Sequence, residues 1–204
     1  MKGIIFSEPM FRATIEGRKT QIRLIVKPKP NTCGCCYSYK DSDYGYIGGG
    51  KFCYTKCIKV YKLYDSCNRY EECIKPRYKV GEKVYLKEPY YAEYGCVCYE
   101  YAPNFAGKRD IVFKNKLFMP AKYARYFIEI TDVRCELLKD ITTEDIRKEG
   151  FQRKDITGIC GVDIPSALEM IEAYAALFDK INGKGTWESN PYVWVYTFKL
   201  IDHE

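Results

Sequence analysis

The stretch "RYFIEITDVRCELL", residues 125–138, decides how the rest of the chain is read. Phe127, Glu129 and Thr131 alternate with Ile128 and Ile130, and that period of two predicts a long strand. A second alternating run closes the chain. In "YVWVYTFKLI", residues 192–201, Trp194, Tyr196, Phe198 and Leu200 alternate with Val193, Val195 and Thr197. Helices are predicted between the two. "TTEDIRKEG" places Thr142 three residues before Asp145, a capping-box spacing, and stops at Gly150. Residues 165–181 carry Leu168, Ile171, Ala175 and Phe178 at helical spacing.

On the N-terminal side, "EKVYLKEPYY" alternates Val84 and Leu86 with Lys83, Tyr85 and Lys87, and "VCYEY" with "DIVFKN" predicts a hairpin. "GIIF", residues 3–6, reads as a short buried strand. Residues 8–16 read as a helix with Pro9 in its first turn and Met10, Ala13 and Thr14 or Ile15 on its faces; Gly17 is the stop. "IRLIV", residues 22–26, is β-branched and apolar and reads as a strand closed by "KPKP". Strands dominate and helices decorate them, which predicts a mainly β, α+β fold: a small barrel with added helices.

Composition changes between residues 31 and 75. This part holds seven of the eleven cysteines, "GGG" at 48–50 and many tyrosines, and prolines flank it. The chain therefore divides into a core, residues 1–30 and 76–204, and a Cys/Tyr-rich insertion, residues 31–75. Cytosolic thiols stay reduced. A zinc thiolate site wants four ligands in close pairs, and Cys33 with Cys36 and Cys53 with Cys57 could supply them. Such a structural zinc would stabilise a lobe with little apolar surface to bury. Disulfides and unligated thiols are the other readings of the same residues.

No apolar run approaches the roughly 20 residues that span a bilayer, and the N-terminus lacks the apolar region of a secretory leader. The expected location is the cytoplasm, with no membrane partner. A net charge of +6 favours an anionic partner such as RNA or a nucleotide. The twenty tyrosines fit ring-stacking surfaces and half-buried strands alike.

One histidine, His203, is present, so a mechanism built on a histidine base or a histidine-held metal has no support. Lysine, carboxylate, tyrosine and cysteine remain for acid–base work. "GRKTQIR", residues 17–23, surrounds Lys19 with Arg18 and Arg23, and cationic neighbours lower a lysine pKa. A hydroxyl such as that of Thr20 could be activated beside it. A basic helix terminus that complements the helix dipole has the same pattern.

"GRKTQIR", "VGEKVYLKEPY", the run from "LFMPAKYARYF" to "KEGF", and "LFDKINGKGTWESNPYVWVYTFKLI" together resemble the ASCH domain, in particular its phage and prophage type. The resemblance spans nearly the whole chain outside residues 31–75. It implies a barrel related to the PUA domain, with a basic cleft that binds RNA or a nucleotide-like small molecule. In the family's small amidohydrolases, which deacylate N4-acetylcytidine, a lysine, a threonine and a glutamate act. The lysine and glutamate fall on Lys19 and Glu149. The threonine falls on Ile22, which can neither donate a hydrogen bond nor act as a nucleophile, so Thr20 is the nearest substitute. The resemblance also places Arg18, Arg23, Lys87, Glu88, Met119, Pro120, Arg125, Trp187 and Asn190 at the cleft or its rim. Three functions follow: a non-catalytic RNA or nucleotide binder, an amidohydrolase using Lys19 and Glu149, or a phage protein whose insertion recognises a host protein.

Overall fold

A computed structural model describes residues 1–26, 75–94, 96–102, 111–151 and 167–201, with the backbone alone of 37–38, 58–64 and 68–74. The fold is mixed α and β, with sheets and a few helices. The N-terminal part gives β1 (Lys2–Ile5), α1 (Glu8–Ile15) and β2 (Gln21–Ile25). The Cys-rich segment contributes β3 (Tyr37–Ser38), β4 (Ile58–Tyr64) and β5 (Asn68–Ile74), which pair in a sheet of their own. Then follow β6 (Lys83–Lys87), β7 (Tyr90–Glu93), β8 (Cys96–Tyr99) and β9 (Phe127–Leu137). The chain continues through α2 (Thr143–Lys148) and α3 (Ala167–Asn182) to β10 (Tyr192–Ile201).

The central sheet has the order β1-β6-β9-β10-β2. β1 runs parallel to β6, and the other neighbours are antiparallel. β1 and β2 lie at opposite edges, so the described strands form an open sheet and do not show the closed barrel expected from the sequence. No helix among the described residues is long and apolar enough to cross a membrane.

β9 covers Phe127–Leu137 of the 125–138 run whose alternation predicts it, and that alternation breaks once. Thr197 pairs with Asp132 and the next residue, Phe198, pairs with Ile130, which leaves Thr131 as an extra residue on β9. A bulge of this kind shifts side-chain parity by one. Ile128 and Ile130 before it and Val133 and Cys135 after it consequently enter the same core. Strict alternation would have turned Val133 and Cys135 outward.

The sheet is covered on both faces. Trp194, Tyr196 and Phe198 of β10 join Ile128, Ile130, Val133 and Phe11 of α1 in one core. Val193 and Val195 face the other way, onto Leu138, Ile146 and the Met170, Tyr174 and Phe178 stripe of α3. Each such side chain, fully buried, contributes on the order of 1.5–3 kcal/mol. Among the described residues six tyrosines are buried, four of them in these two cores (Tyr78, Tyr101, Tyr174 and Tyr196), and these serve packing.

One local expectation is met in part and two need correction. α1 buries Ala13 and Thr14 as expected and Phe11 besides, while Met10 only flanks the core. Leu168 is 64% exposed; the inward stripe of α3 recurs every fourth residue from Met170. β8 pairs with β7 and not with "DIVFKN", of which Lys114 makes a single bridge to Tyr90.

Candidate functional site

Two tight turns bring Lys19 and Glu149 together. Gly17, at φ +75°, ends α1, and the Lys19 N–H then donates back to the Ala13 carbonyl at 2.9 Å. α2 is started by the capping box the sequence predicts, with both Thr142–Asp145 hydrogen bonds formed. It ends at Glu149, and Gly150 follows at φ +87°. The backbones of Lys19 and Glu149 form an isolated antiparallel bridge. A methyl group on Gly150 would lie 2.9 Å from the Lys19 Cβ, so only glycine permits this approach.

The Lys19 ammonium is wholly enclosed, at 0% side-chain exposure. It donates to Glu149 Oε2 at 2.6 Å, to the Glu149 carbonyl at 3.0 Å and to the Gln21 carbonyl at 2.8 Å. An ammonium has three protons, and all three are engaged. The ring of Phe6 lies below it at 5.6 Å.

Arg23 extends the cluster. It donates to Gln21 Oε1 at 2.9 Å, Glu149 Oε1 at 3.3 Å and Glu136 Oε1 at 2.6 Å, and pairs with Asp145 Oδ2 at 3.1 Å. Arg134 grips Glu136 and Asp145 from the other side, at 2.9 and 3.1 Å. The Tyr174 hydroxyl donates to Glu149 Oε1 at 3.5 Å. Three cations thus meet three carboxylates, and no buried side-chain nitrogen or oxygen among the described residues lacks a hydrogen bond.

Titration follows from this arrangement. Burial acts to lower the Arg23 pKa, but Glu149, Tyr174 and Glu136 outweigh it and hold the pKa above its ordinary value. Burial acts to raise Asp145, yet Arg23, the Thr142 hydrogen bonds and Arg134 keep it below the usual carboxylate range. Burial, then the Glu149 carboxylate, pushes the Tyr174 phenol well up, so it stays a neutral donor.

Beside the cluster a cleft of about 610 Å³ opens between α1, the 149–151 turn and α3. Met10, Ala13, Phe151 and Leu177 make its apolar walls, while Glu8, Arg12, Glu16 and Arg18 supply charge. Arg12 pairs with Glu8 at 2.7 Å and Arg18 with Glu16 at 2.6 Å. With Glu149, three carboxylates face two guanidiniums, so this cleft is not the basic one expected. Lys19 and Arg23 do not line it.

The other nominated residues separate. Glu88, 0% exposed, holds Arg125 through two hydrogen bonds of 2.9 and 2.7 Å, and the guanidinium lies 4.2 Å from the ring centre of Tyr99. Met119 is buried beneath them and its sulfur accepts the Glu88 N–H at 3.3 Å. Pro120 precedes a short turn of 3-10 helix, Ala121–Tyr123, and Lys87 donates to the Leu117 carbonyl at 2.8 Å. None of these five lines the cleft. Trp187 packs edge-on to Tyr174 at 6.3 Å, which puts it behind the ion cluster. Asn190, at φ +44°, accepts the Lys139 N–H in a turn.

Ile22 belongs to the main core and pairs with Tyr196, so its side chain faces away from the Lys19 cluster. Thr20 is half-buried and its backbone joins Lys148 and Phe198. Sequence reasoning missed Gln21, Arg134, Glu136, Asp145 and Tyr174 as members of the cluster. One signal was available: Arg134 and Glu136 interrupt an apolar strand at every second position.

Cys33, Cys36, Cys53 and Cys57 lie outside the described residues. Among the described residues no group of three or more histidines, cysteines or carboxylates could hold a metal. The buried Cys135 thiol is pushed up to about 12 by desolvation and by Glu136. Comparison with protein-family models, with curated proteins and with solved structures finds no match for this chain.

Proposed function

We propose that this chain is a non-catalytic module of the ASCH type that binds RNA or a nucleotide-like small molecule. The observation that carries the reading is the saturation of Lys19. Every hydrogen-bonding direction of the Lys19 nitrogen is taken by the protein and the side chain is not exposed, so no direction is left from which it could reach a bound substrate. The lysine of "GRKTQIR" then serves as a strut that fixes one wall of the cleft. Partly apolar walls with a few polar groups are what a small aromatic ligand needs.

The test is mass spectrometry of nucleosides, nucleotides or RNA that co-purify with the protein, followed by titration of the recovered species at low and high salt. Recovery of an unmodified ligand whose affinity falls when Phe151 is changed to Ala supports the reading. No retained ligand and no binding of nucleosides, nucleotides or short RNA overturns it.

The 2.6 Å contact between Lys19 and Glu149 favours one competing reading, amide hydrolysis of an N4-acylated cytidine. Release of cytidine from N4-acetylcytidine, lost in a folded Glu149→Gln variant, would establish that reaction in place of simple binding.

A further inference from the structure

Between β8 and β9 the chain sets lysines around an exposed ring. In "KNKLFMPAKY", residues 114–123, Lys114, Lys116 and Lys122 surround Leu117 and Phe118. Met119 anchors this segment, buried in one cluster with Tyr85 and Tyr90. The Tyr85 hydroxyl donates to the Met119 carbonyl at 3.0 Å, and the Asn115 side chain accepts the Leu117 N–H at 2.9 Å. The turn fixed in this way holds Leu117 and Phe118 outward, at 54% and 72% exposure. Phe118 belongs to none of the three cores.

The ammonium groups around the ring are positioned but lack counter-charge. Lys87 donates to the Leu117 carbonyl at 2.8 Å, and Lys116 to the Phe6 carbonyl at 2.8 Å. Lys122 lies 4.9 Å from the ring centre of Tyr123, which packs against Tyr90 at 5.4 Å. Among the described residues no carboxylate pairs with Lys87, Lys116 or Lys122, and Lys114 has only Glu93 at 3.9 Å. An ammonium has three protons, so Lys87 and Lys116 each keep two for another acceptor. The cleft has the opposite balance, with more carboxylates than guanidiniums along its walls.

We infer that this ridge binds single-stranded RNA, with Phe118 stacking on a base and Lys87, Lys116 and Lys122 meeting phosphates. The inference rests on the RNA form of the proposed function and gives it a surface separate from the cleft. Stacking on an aromatic side chain tolerates any sequence, because every base has a π-face. Lysines meet phosphates as point charges and release the counterions condensed on them. Two other anionic partners fit less well. Protein interfaces are depleted of lysine, and two apolar side chains fall short of the continuous apolar face that holds a helix on a bilayer.

Fluorescence anisotropy of the whole chain with a labelled oligouridine of about ten nucleotides tests this. Binding of uridine alone is measured in parallel. For single strands each neutralised phosphate contributes about 0.7 to the slope of log affinity against log salt, so three lysines predict a slope of about −2. Phe118→Ala should weaken oligouridine about tenfold and leave uridine unaffected. Lys116→Gln combined with Lys122→Gln should make the slope shallower by about 1.4. Circular dichroism checks each fold, and Lys122→Gln alone, which breaks no backbone contact, should still change the slope by about 0.7. Uridine binding together with an oligouridine affinity and slope unchanged in every variant overturns the ridge and leaves the cleft reading standing. Binding of neither overturns both. Tighter binding to phosphatidylserine vesicles or polyglutamate than to oligouridine also overturns the inference.

Discussion

Lys19 and Glu149 lie 130 residues apart in sequence and meet at 2.6 Å with less than a tenth of either side chain exposed. Their backbones pair as well, so the contact joins the end of α1 to the end of α2 and closes the wall of the cleft. An ion pair so enclosed adds little net stability, because desolvating two charges offsets their attraction. Breaking it is a different matter.

Replacing Lys19 by Met should destabilise the protein by about 3–5 kcal/mol, since the Glu149 carboxylate is left buried with only Arg23 and Tyr174 as partners. Lys19→Met combined with Glu149→Leu should cost less than the sum of the single changes. Urea denaturation of the four proteins measures the coupling; additive losses would show that the pair does not act as a unit.

Gly150→Ala and Gly185→Ala separate backbone strain from crowding. Both glycines have φ near +85°, but only Gly150 has neighbours where a Cβ would go. Gly185→Ala should cost about 1 kcal/mol from conformation alone. Gly150→Ala should exceed that, because the Lys19 and Ala13 side chains must also move. Equal losses in thermal unfolding would contradict the close approach.

Acid should destabilise the fold partly through Asp145. Its folded pKa lies below its unfolded value, so its contribution is fully present above the unfolded pKa and is lost as pH falls through the folded one. Urea midpoints measured from about pH 6 to pH 2 should therefore decline, and Asp145→Asn should flatten that decline while lowering stability at neutral pH. An unchanged acid limb in Asp145→Asn would remove Asp145 as a source.

Deleting Thr131 should leave the register of β9 against β10 intact. Ile128, Ile130, Val133 and Cys135 would then alternate regularly on the same face. Cooperative unfolding and the near-ultraviolet signal of the buried Trp194 should survive. Loss of both would mean that the bulge is required for the sheet's twist and not merely accommodated.

Elements with strong local signals were legible in the sequence. β10 and β9 declared themselves by alternation, α2 by the Thr142–Asp145 capping box, and the end of α1 by Gly17. Lys19 could be singled out by its cationic neighbours, and Glu149 only by family resemblance. Side-chain alternation and caps are properties of adjacent residues, so they survive without any knowledge of the fold.

What only the tertiary structure decided was long-range. The bulge at Thr131 depends on how β10 pairs with β9, and it returned Val133 and Cys135 to the core. Whether Lys19 was a free base or a saturated strut depended on carbonyls and carboxylates from two distant turns. Arg23 read as a ligand contact until Glu136, Asp145 and Glu149 enclosed it. Sequence determined which residues carry charge and which strands carry the core. Folding determined which charges reach solvent, because desolvation and pairing are set by neighbours in space and not by neighbours in the chain.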